Sequence, residues 1–430
     1  MTTDLITRRA QRLGPNLPTF YDDPVHIVHG EGAHLWDACG RRYIDCYNNV
    51  AHVGHCHPHV VEAIARQAAT LNTHTRYLHE GILDYADRLT AYFRHDLSQV
   101  LFTCTGSEAN DVALRMAQAV TGKTGFIATD NTYHGNTTAV AHLSTRRPPI
   151  GGWPDHIRRI PAPDSIAPLG GSLAAQPQAF AEGVAKAIAE LKAAGHGFAG
   201  IMLCPVFANE GLPEVTEGFL APTVEVVRRA GGLILCDEVQ PGFGRIGTAF
   251  WGHERLGFAP DVVTLGKPMA NGHPVAAVVT RPDIMAAFRE AFGYFNTFAG
   301  NPVSMAAAAA TLDVIEAEAL TRHGEIIGTQ LLDGLKALTH PQIASLRGTG
   351  MFLAMEFSDA LGPNGAPVPH SANALCGRIV EGMRSRGVLL GRVGRQQHIL
   401  KLRPPMPFGA AEARDVLAAL GDCLESEQTA

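Results

Sequence analysis

The sequence has little charge and no excess of the positive sign. Asp, Glu, Lys and Arg make up 18% of 430 residues, against about a quarter in an average soluble protein. That shortage argues against a disordered or polyelectrolyte chain. A formal net charge of −6 leaves no basic footprint for nucleic acid. The pairs Arg146-Arg147 and Arg158-Arg159 are too short to supply one. No apolar run approaches the roughly 20 residues that cross a bilayer, and residues 1–5 lack the apolar core of a secretory signal. Cysteines are scattered without a regular framework, as expected of reduced thiols. Cys39, Cys46, His52, His55, Cys56, His57 and His59 fall in one region, but without the Cys-x-x-Cys or i,i+4 spacing of a zinc site. The expectation is a soluble cytoplasmic protein without a metal.

What is present is apolar: 46% of residues are hydrophobic, enough for a large core and two domains. Between about 100 and 305, short apolar runs alternate with helical patterns. The runs at 100–104, 126–129, 201–204, 233–236, 262–265 and 275–280 predict strands, and 107–120 and 220–230 predict helices. This alternation implies an α/β fold, a mainly parallel sheet with helices on both faces. Ligands of such sheets bind at the carboxyl ends of the strands. Residues 24–48 read as hairpins, 305–318 as an alanine-rich helix, and 352–357 and 398–402 as strands of a C-terminal α+β region. Residues 362–368, rich in Gly and Pro, read as a surface loop. The expected division is 1–54 and 306–430 as one smaller domain, with 55–305 as the large domain.

Lys267 and Asp237 each stand just past a strongly apolar run. A lysine and an acid at two strand ends are what a pyridoxal phosphate enzyme requires. The amine holds the cofactor as a Schiff base, and the carboxylate keeps its ring nitrogen protonated. Thr105-Gly106-Ser107-Glu108 opens a predicted helix, whose free N–H groups and positive end suit a phosphate. Tyr133-His134-Gly135 follows strand 126–129, where an aromatic ring can stack on a flat cofactor. Val239 would close the opposite face, and Gln240 would bond the phenolic oxygen. Gly242-Phe243-Gly244-Arg245-Ile246-Gly247 matches the dinucleotide pattern, but Asp237-Glu238 and Pro241 separate it from its strand. It reads as a glycine-rich turn beside the cofactor.

Together these segments resemble the class III family of pyridoxal phosphate aminotransferases, fold type I, across about residues 35–407. The resemblance rests on Gly106-Ser107-Glu108-Ala109-Asn110-Asp111, Asp237-Glu238-Val239-Gln240, Gly266-Lys267-Pro268 and Asn296-Thr297-Phe298-Ala299-Gly300-Asn301-Pro302, in the family's order. It implies Lys267 and Asp237 as catalytic residues. It also implies Gly106, Ser107 and Thr297 of the partner subunit around the cofactor phosphate, in a homodimer with shared sites. Pairing of dimers into tetramers stays open.

Within the class, Asp45-Cys46-Tyr47-Asn48-Asn49-Val50-Ala51-His52, Leu71-Asn72-Thr73-His74-Thr75-Arg76 and Lys267-Pro268-Met269-Ala270-Asn271-Gly272-His273-Pro274 resemble the ethanolamine-phosphate and phosphohydroxylysine phospho-lyases. The aminotransferase arginine that grips a substrate carboxylate is replaced by Lys401, three residues before Pro404. Its glutamate counterpart is replaced by Cys204, a departure from the lyases as well. The resemblance implies elimination of phosphate from a small phosphorylated amine. The class also admits an ω-aminotransferase using a keto acid such as pyruvate, and a non-catalytic relative is the third reading. Arg76, Lys401 and Arg403, in that order, are the expected phosphate-binding cations, with Asn49 beside them. For Arg403, next to Pro404-Pro405, a structural ion pair competes most strongly.

Overall fold

The computed structural model describes residues 2–15, 17–94, 96–144, 147–359 and 371–429. Near the N-terminus, β1 (Ile27–Glu31), β2 (His34–Asp37) and β3 (Arg42–Asp45) form an antiparallel ribbon. Seven strands follow: β4 (Gln99–Thr103), β5 (Phe126–Thr129), β6 (Ile157–Ile160), β7 (Gly200–Leu203), β8 (Leu233–Asp237), β9 (Val262–Leu265) and β10 (Ala276–Thr280). They assemble one sheet in the order β4-β10-β9-β8-β7-β5-β6. Every pair from β9 to β6 is parallel, while β10 runs antiparallel to both neighbours. The sheet is therefore mainly parallel, and the fold is the expected α/β type.

The strands at its centre are unbroken apolar runs because helices cover both faces. Alternate residues divide between two cores. Ile234, Cys236, Val263 and Leu265 face Phe180, Val184 and Val227. Leu233, Leu235 and Val262 face Val112, Ala113 and Met116 of the helix Gly106–Thr121. The edge strand β6 was not legible in the sequence. Its Ile-Arg-Arg-Ile text buries only the isoleucines, and Arg158 reaches Glu190 at 3.3 Å.

The C-terminal region adds β11 (Ile343–Thr349), β12 (Phe352–Phe357), β13 (Val388–Leu389), β14 (Gly391–Val393) and β15 (Ile399–Leu402). Four of these make a second sheet, β11-β12-β15-β14, while β13 pairs in parallel with β3 of the N-terminal ribbon. The alanine-rich helix spans Pro302–Ala317, capped by Asn301, whose side chain accepts from the Ser304 N–H. Among the described residues no helix is long and apolar enough to cross a membrane. The loop expected at 362–368 lies outside the described residues.

Candidate active site

Asp237 closes β8 and is in register with Thr264 of β9, so the acid and Lys267 emerge at adjacent strand ends. The chain turns sharply there: Lys267 has φ 31° and opens the 3₁₀ turn Lys267–Ala270. A left-handed non-glycine residue costs about 1–3 kcal/mol and persists only where its surroundings over-determine it. Because β10 is antiparallel, its beginning and the ends of its neighbours meet at one edge of the sheet. There they enclose a cavity of about 310 Å³. Its walls are the helix start at Gly106-Ser107, the loop Tyr133-His134-Gly135, and Asp237, Val239, Gln240 and Lys267.

Asp237 is buried but held charged. Burial alone would raise its pKa, yet a 2.6 Å hydrogen bond to His134 Nδ1, the charges of His134 and Lys267 and the Val239 N–H hold it below the usual carboxylate range. The Asn110 amide donates to the same carboxylate at 3.1 Å and to the His134 carbonyl at 2.7 Å. Thr264 fixes that amide by donating to its oxygen at 2.6 Å, and Thr132 contacts His134 Nε2 at 3.0 Å. Lys267 is shifted towards its neutral form. Burial foremost, with Arg403 adding and Asp237 opposing, pushes its pKa below that of a free lysine.

The helix start is built by a capping box: Thr105 Oγ1 accepts from the Glu108 N–H, and the Glu108 carboxylate accepts from the Thr105 N–H. The N–H groups of Gly106 and Ser107 then have no acceptor within the helix and present a positive end to the cavity. An ionised buried acid, an amine of lowered basicity and free helix N–H groups share one cavity, and these residues fit pyridoxal phosphate.

A second cavity of about 610 Å³ opens from the first, sharing Val50, Tyr133, Asn209, Gln240 and Lys267 with it. Lys401 and Arg403, two positions apart at the end of β15, both line it. Lys401 Nζ donates to the Ala208 carbonyl at 2.6 Å and lies 3.5 Å from Gln240 Oε1. Arg403 Nη1 donates to the same oxygen at 2.7 Å, and its guanidinium lies 4.8 Å from the Tyr47 ring centre. The Gln240 oxygen is thereby occupied, leaving its NH₂ as the group free to donate. Arg403 Nε and Asn49 Nδ2 are buried without a partner, and both residues line this cavity.

Arg403 thus departs from the expectation of a structural ion pair. It is buried in the cavity wall because β15 carries it there ahead of the Pro404-Pro405 turn. Alternation along β15 was the signal that would have placed 401 and 403 on one side. Arg76 is exposed, lies 4.0 Å from the centre of the Phe295 ring and lines neither cavity. Thr297 is likewise exposed and lines neither within one chain.

The sequence carries no local signal for the contact of Asn110 with Asp237, nor for Glu210, whose charge acts on both Lys401 and Cys204. Cys204 lines the first cavity; burial, then Asp237 and Glu210, push its thiol well up, so it brings no charge there. The turn at 242–247 is a correction. It packs beneath β11 and β12, with Thr349 donating to Ile246 and the Met351 N–H to Arg245, and lines neither cavity. Its buried Arg245 donates to the Pro404 carbonyl at 2.7 Å, one residue past Arg403.

The histidines of residues 52–59 are dispersed among separate partners: His52 with the Phe243 carbonyl, His55 with Asp45, His57 with Glu318 and His59 with Asp313. Cys236, Glu238 and His253 do cluster. There the Glu238 carboxylate accepts from the backbone N–H groups of Gly252 and His253 and from the His253 ring.

The chain matches the class-III aminotransferase family over residues 20–424. It is 37% identical to an alanine–glyoxylate aminotransferase 2-like protein of Drosophila melanogaster, over 98% of this chain and 87% of that one. To ethanolamine-phosphate phospho-lyase homolog 1 of Caenorhabditis elegans it is 33% identical, over 98% and 93%. A solved phospholyase from Arthrobacter, in complex with phosphoethanolamine, superposes with a TM-score of 0.91 at 40% identity, covering 98% of this chain and 100% of that one. The chain belongs to the class-III aminotransferase family, enzymes of fold type I that depend on pyridoxal phosphate.

Proposed function

We propose that the protein eliminates phosphate from O-phosphoethanolamine, giving acetaldehyde, ammonia and inorganic phosphate. The observation that carries this reading is the pair Lys401 and Arg403. They are buried in a cavity continuous with the one Lys267 lines, and their hydrogen bonds there go to neutral oxygens, the Ala208 carbonyl and Gln240 Oε1. A buried guanidinium beside a buried amine favours the entry of an anion that compensates the charge. A phosphate supplies the charge, and Asn49 Nδ2 supplies a further donor.

Bound in the first cavity, pyridoxal phosphate supplies covalent attachment for the substrate nitrogen and an electron sink. Gly106 and Ser107 offer N–H groups to its phosphate, joined by Thr297 of the partner subunit in a homodimer. Asp237, kept ionised by His134 and Asn110, pairs with the ring nitrogen. Gln240, its oxygen held by Arg403 and Lys401, donates to the phenolic oxygen. Val239 and Tyr133 bound the ring. Lys267 removes the proton from the carbon bearing nitrogen; its lowered basicity leaves it free to accept one. Lys401 and Arg403 then hold the charge that develops on the departing phosphate.

The 37% identical alanine–glyoxylate aminotransferase 2-like relative favours a second reading, transfer of an amino group to a keto acid. One assay separates the two. Holoenzyme with phosphoethanolamine and no keto acid should release phosphate and acetaldehyde in equal amounts. Amine exchange that requires pyruvate and releases no phosphate would establish the aminotransferase instead.

A further inference from the structure

Expelling phosphate from carbon leaves a third negative charge on the departing oxygen unless a proton meets it. An arginine cannot supply that proton, because guanidinium does not ionise in proteins; a lysine can. We propose that Lys401 is the acid of the elimination: its Nζ takes up a proton as the phosphate dianion enters the cavity and gives it to the oxygen that leaves. This inference rests on the phospho-lyase reading above.

The geometry sets Lys401 apart from an ordinary ion-paired lysine. Its Nζ donates to a neutral carbonyl, that of Ala208, and approaches the neutral amide of Gln240. Around it stand Arg403 and Lys267 as like charges, Glu210 as the opposing charge, and the thiol of Cys204. Glu210 is engaged elsewhere, accepting from Thr129 Oγ1 at 2.6 Å and from the Asn209 N–H at 3.0 Å. Burial first, then Arg403 and Lys267, hold the Lys401 amine well below the basicity of a free lysine, against the pull of Glu210. A dianion entering this cavity reverses the balance and draws a proton onto the amine. Arg403, alongside, stays charged throughout and anchors the group.

The step balances. The carbon–hydrogen bond beside nitrogen breaks, and its proton goes to Lys267. Its electron pair becomes the new carbon–carbon double bond as the carbon–oxygen pair departs with oxygen. The proton from Lys401 goes to that oxygen, hydrogenphosphate leaves, and Lys401 is again a neutral amine. No oxidant or reductant is involved.

Sulfate is a suitable probe because it stays a dianion across the working range and brings no proton of its own. Holoenzyme is titrated with sulfate at pH 8 by calorimetry in two buffers of different ionisation enthalpy, which counts protons taken up. The wild type should take up close to one proton per site, and Lys401→Arg close to none while still binding sulfate. For Lys401→Arg, kcat for phosphate release should fall by about 100-fold or more with KM little changed, as for loss of a general acid. Should arginine not be accommodated, Lys401→Met must likewise bind sulfate, held by Arg403, without proton uptake. Proton uptake equal in wild type and variants, or Lys401→Arg turning over at the wild-type kcat, would overturn the assignment. Failure of sulfate to bind the wild type at all would instead remove the anion cavity, and with it the reading on which this inference depends.

Discussion

A methyl group at position 135 tests whether the cofactor cup is as tight as its geometry implies. Gly135 has φ +146°, and a Cβ built there would lie 2.5 Å from Ser107 Oγ, 2.7 Å from Ser107 Cα and 2.8 Å from Ser107 Cβ. The Cα is backbone of the helix start, so no side-chain rotation relieves the contact. Overpacking of this kind costs about 1–3 kcal/mol, and the disfavoured φ a further 1–3 kcal/mol or so. The protein can relax by lifting the 133–136 loop from the helix, but only by opening the cup that offers the Ser107 N–H. The cost therefore falls largely on cofactor binding, where even 2 kcal/mol is about 30-fold. Gly135→Ala should bind pyridoxal phosphate at least that much more weakly, measured by absorbance titration of the apoenzyme. Gly122→Ala is the control. It sits at the far end of the same helix with φ +64° and nothing within 4 Å, so it should lose only about 1 kcal/mol of stability in urea and no cofactor affinity. Wild-type affinity in Gly135→Ala, or equal losses in both variants, would refute the reasoning.

Replacing His134 with glutamine removes the hydrogen bond and charge that oppose burial at Asp237, so that carboxyl's pKa rises. The acid limb of the kcat/KM profile should move to higher pH; a limb in the wild-type position would show that His134 does not tune Asp237. Arg403→Met removes a charge-assisted donor worth about 1.5–3 kcal/mol and should raise KM for phosphoethanolamine by about tenfold or more. An unchanged KM would take Arg403 out of the substrate site. Thr105→Ala deletes one half of the capping box and should lower stability by about 1 kcal/mol in urea unfolding, and no change would count against the cap as the element that builds the helix start.

Periodicity made the sheet legible where strands are buried on both faces. The runs at 126–129, 262–265 and 352–357 coincide with β5, β9 and β12, and other strand ends differ by a residue. It failed at β6, where an edge strand spends half its residues on solvent. Lys267 and Asp237 could be singled out because chemistry-bearing residues at strand ends break an apolar run abruptly. Arg403 came last among the expected cations because a Pro-Pro turn reads as surface, and only the packing of β15 carries its guanidinium inward. Arg76 came first because the family's substrate pocket receives an N-terminal segment at that place, while within this chain it stacks on Phe295. Asn110 and Glu210 act through neighbours distant in sequence, Asp237 and Lys401, and contacts of that kind have no local signature.

The count of phosphate released per active site, with phosphoethanolamine as the sole substrate, bears most directly on the account. An aminotransferase without an acceptor stops once each cofactor has taken one amino group, whereas an eliminating enzyme returns its cofactor unchanged. Phosphate that accumulates to many equivalents per site, matched by acetaldehyde and unaffected by added pyruvate, is the result expected. Phosphate that never exceeds the concentration of sites would contradict it.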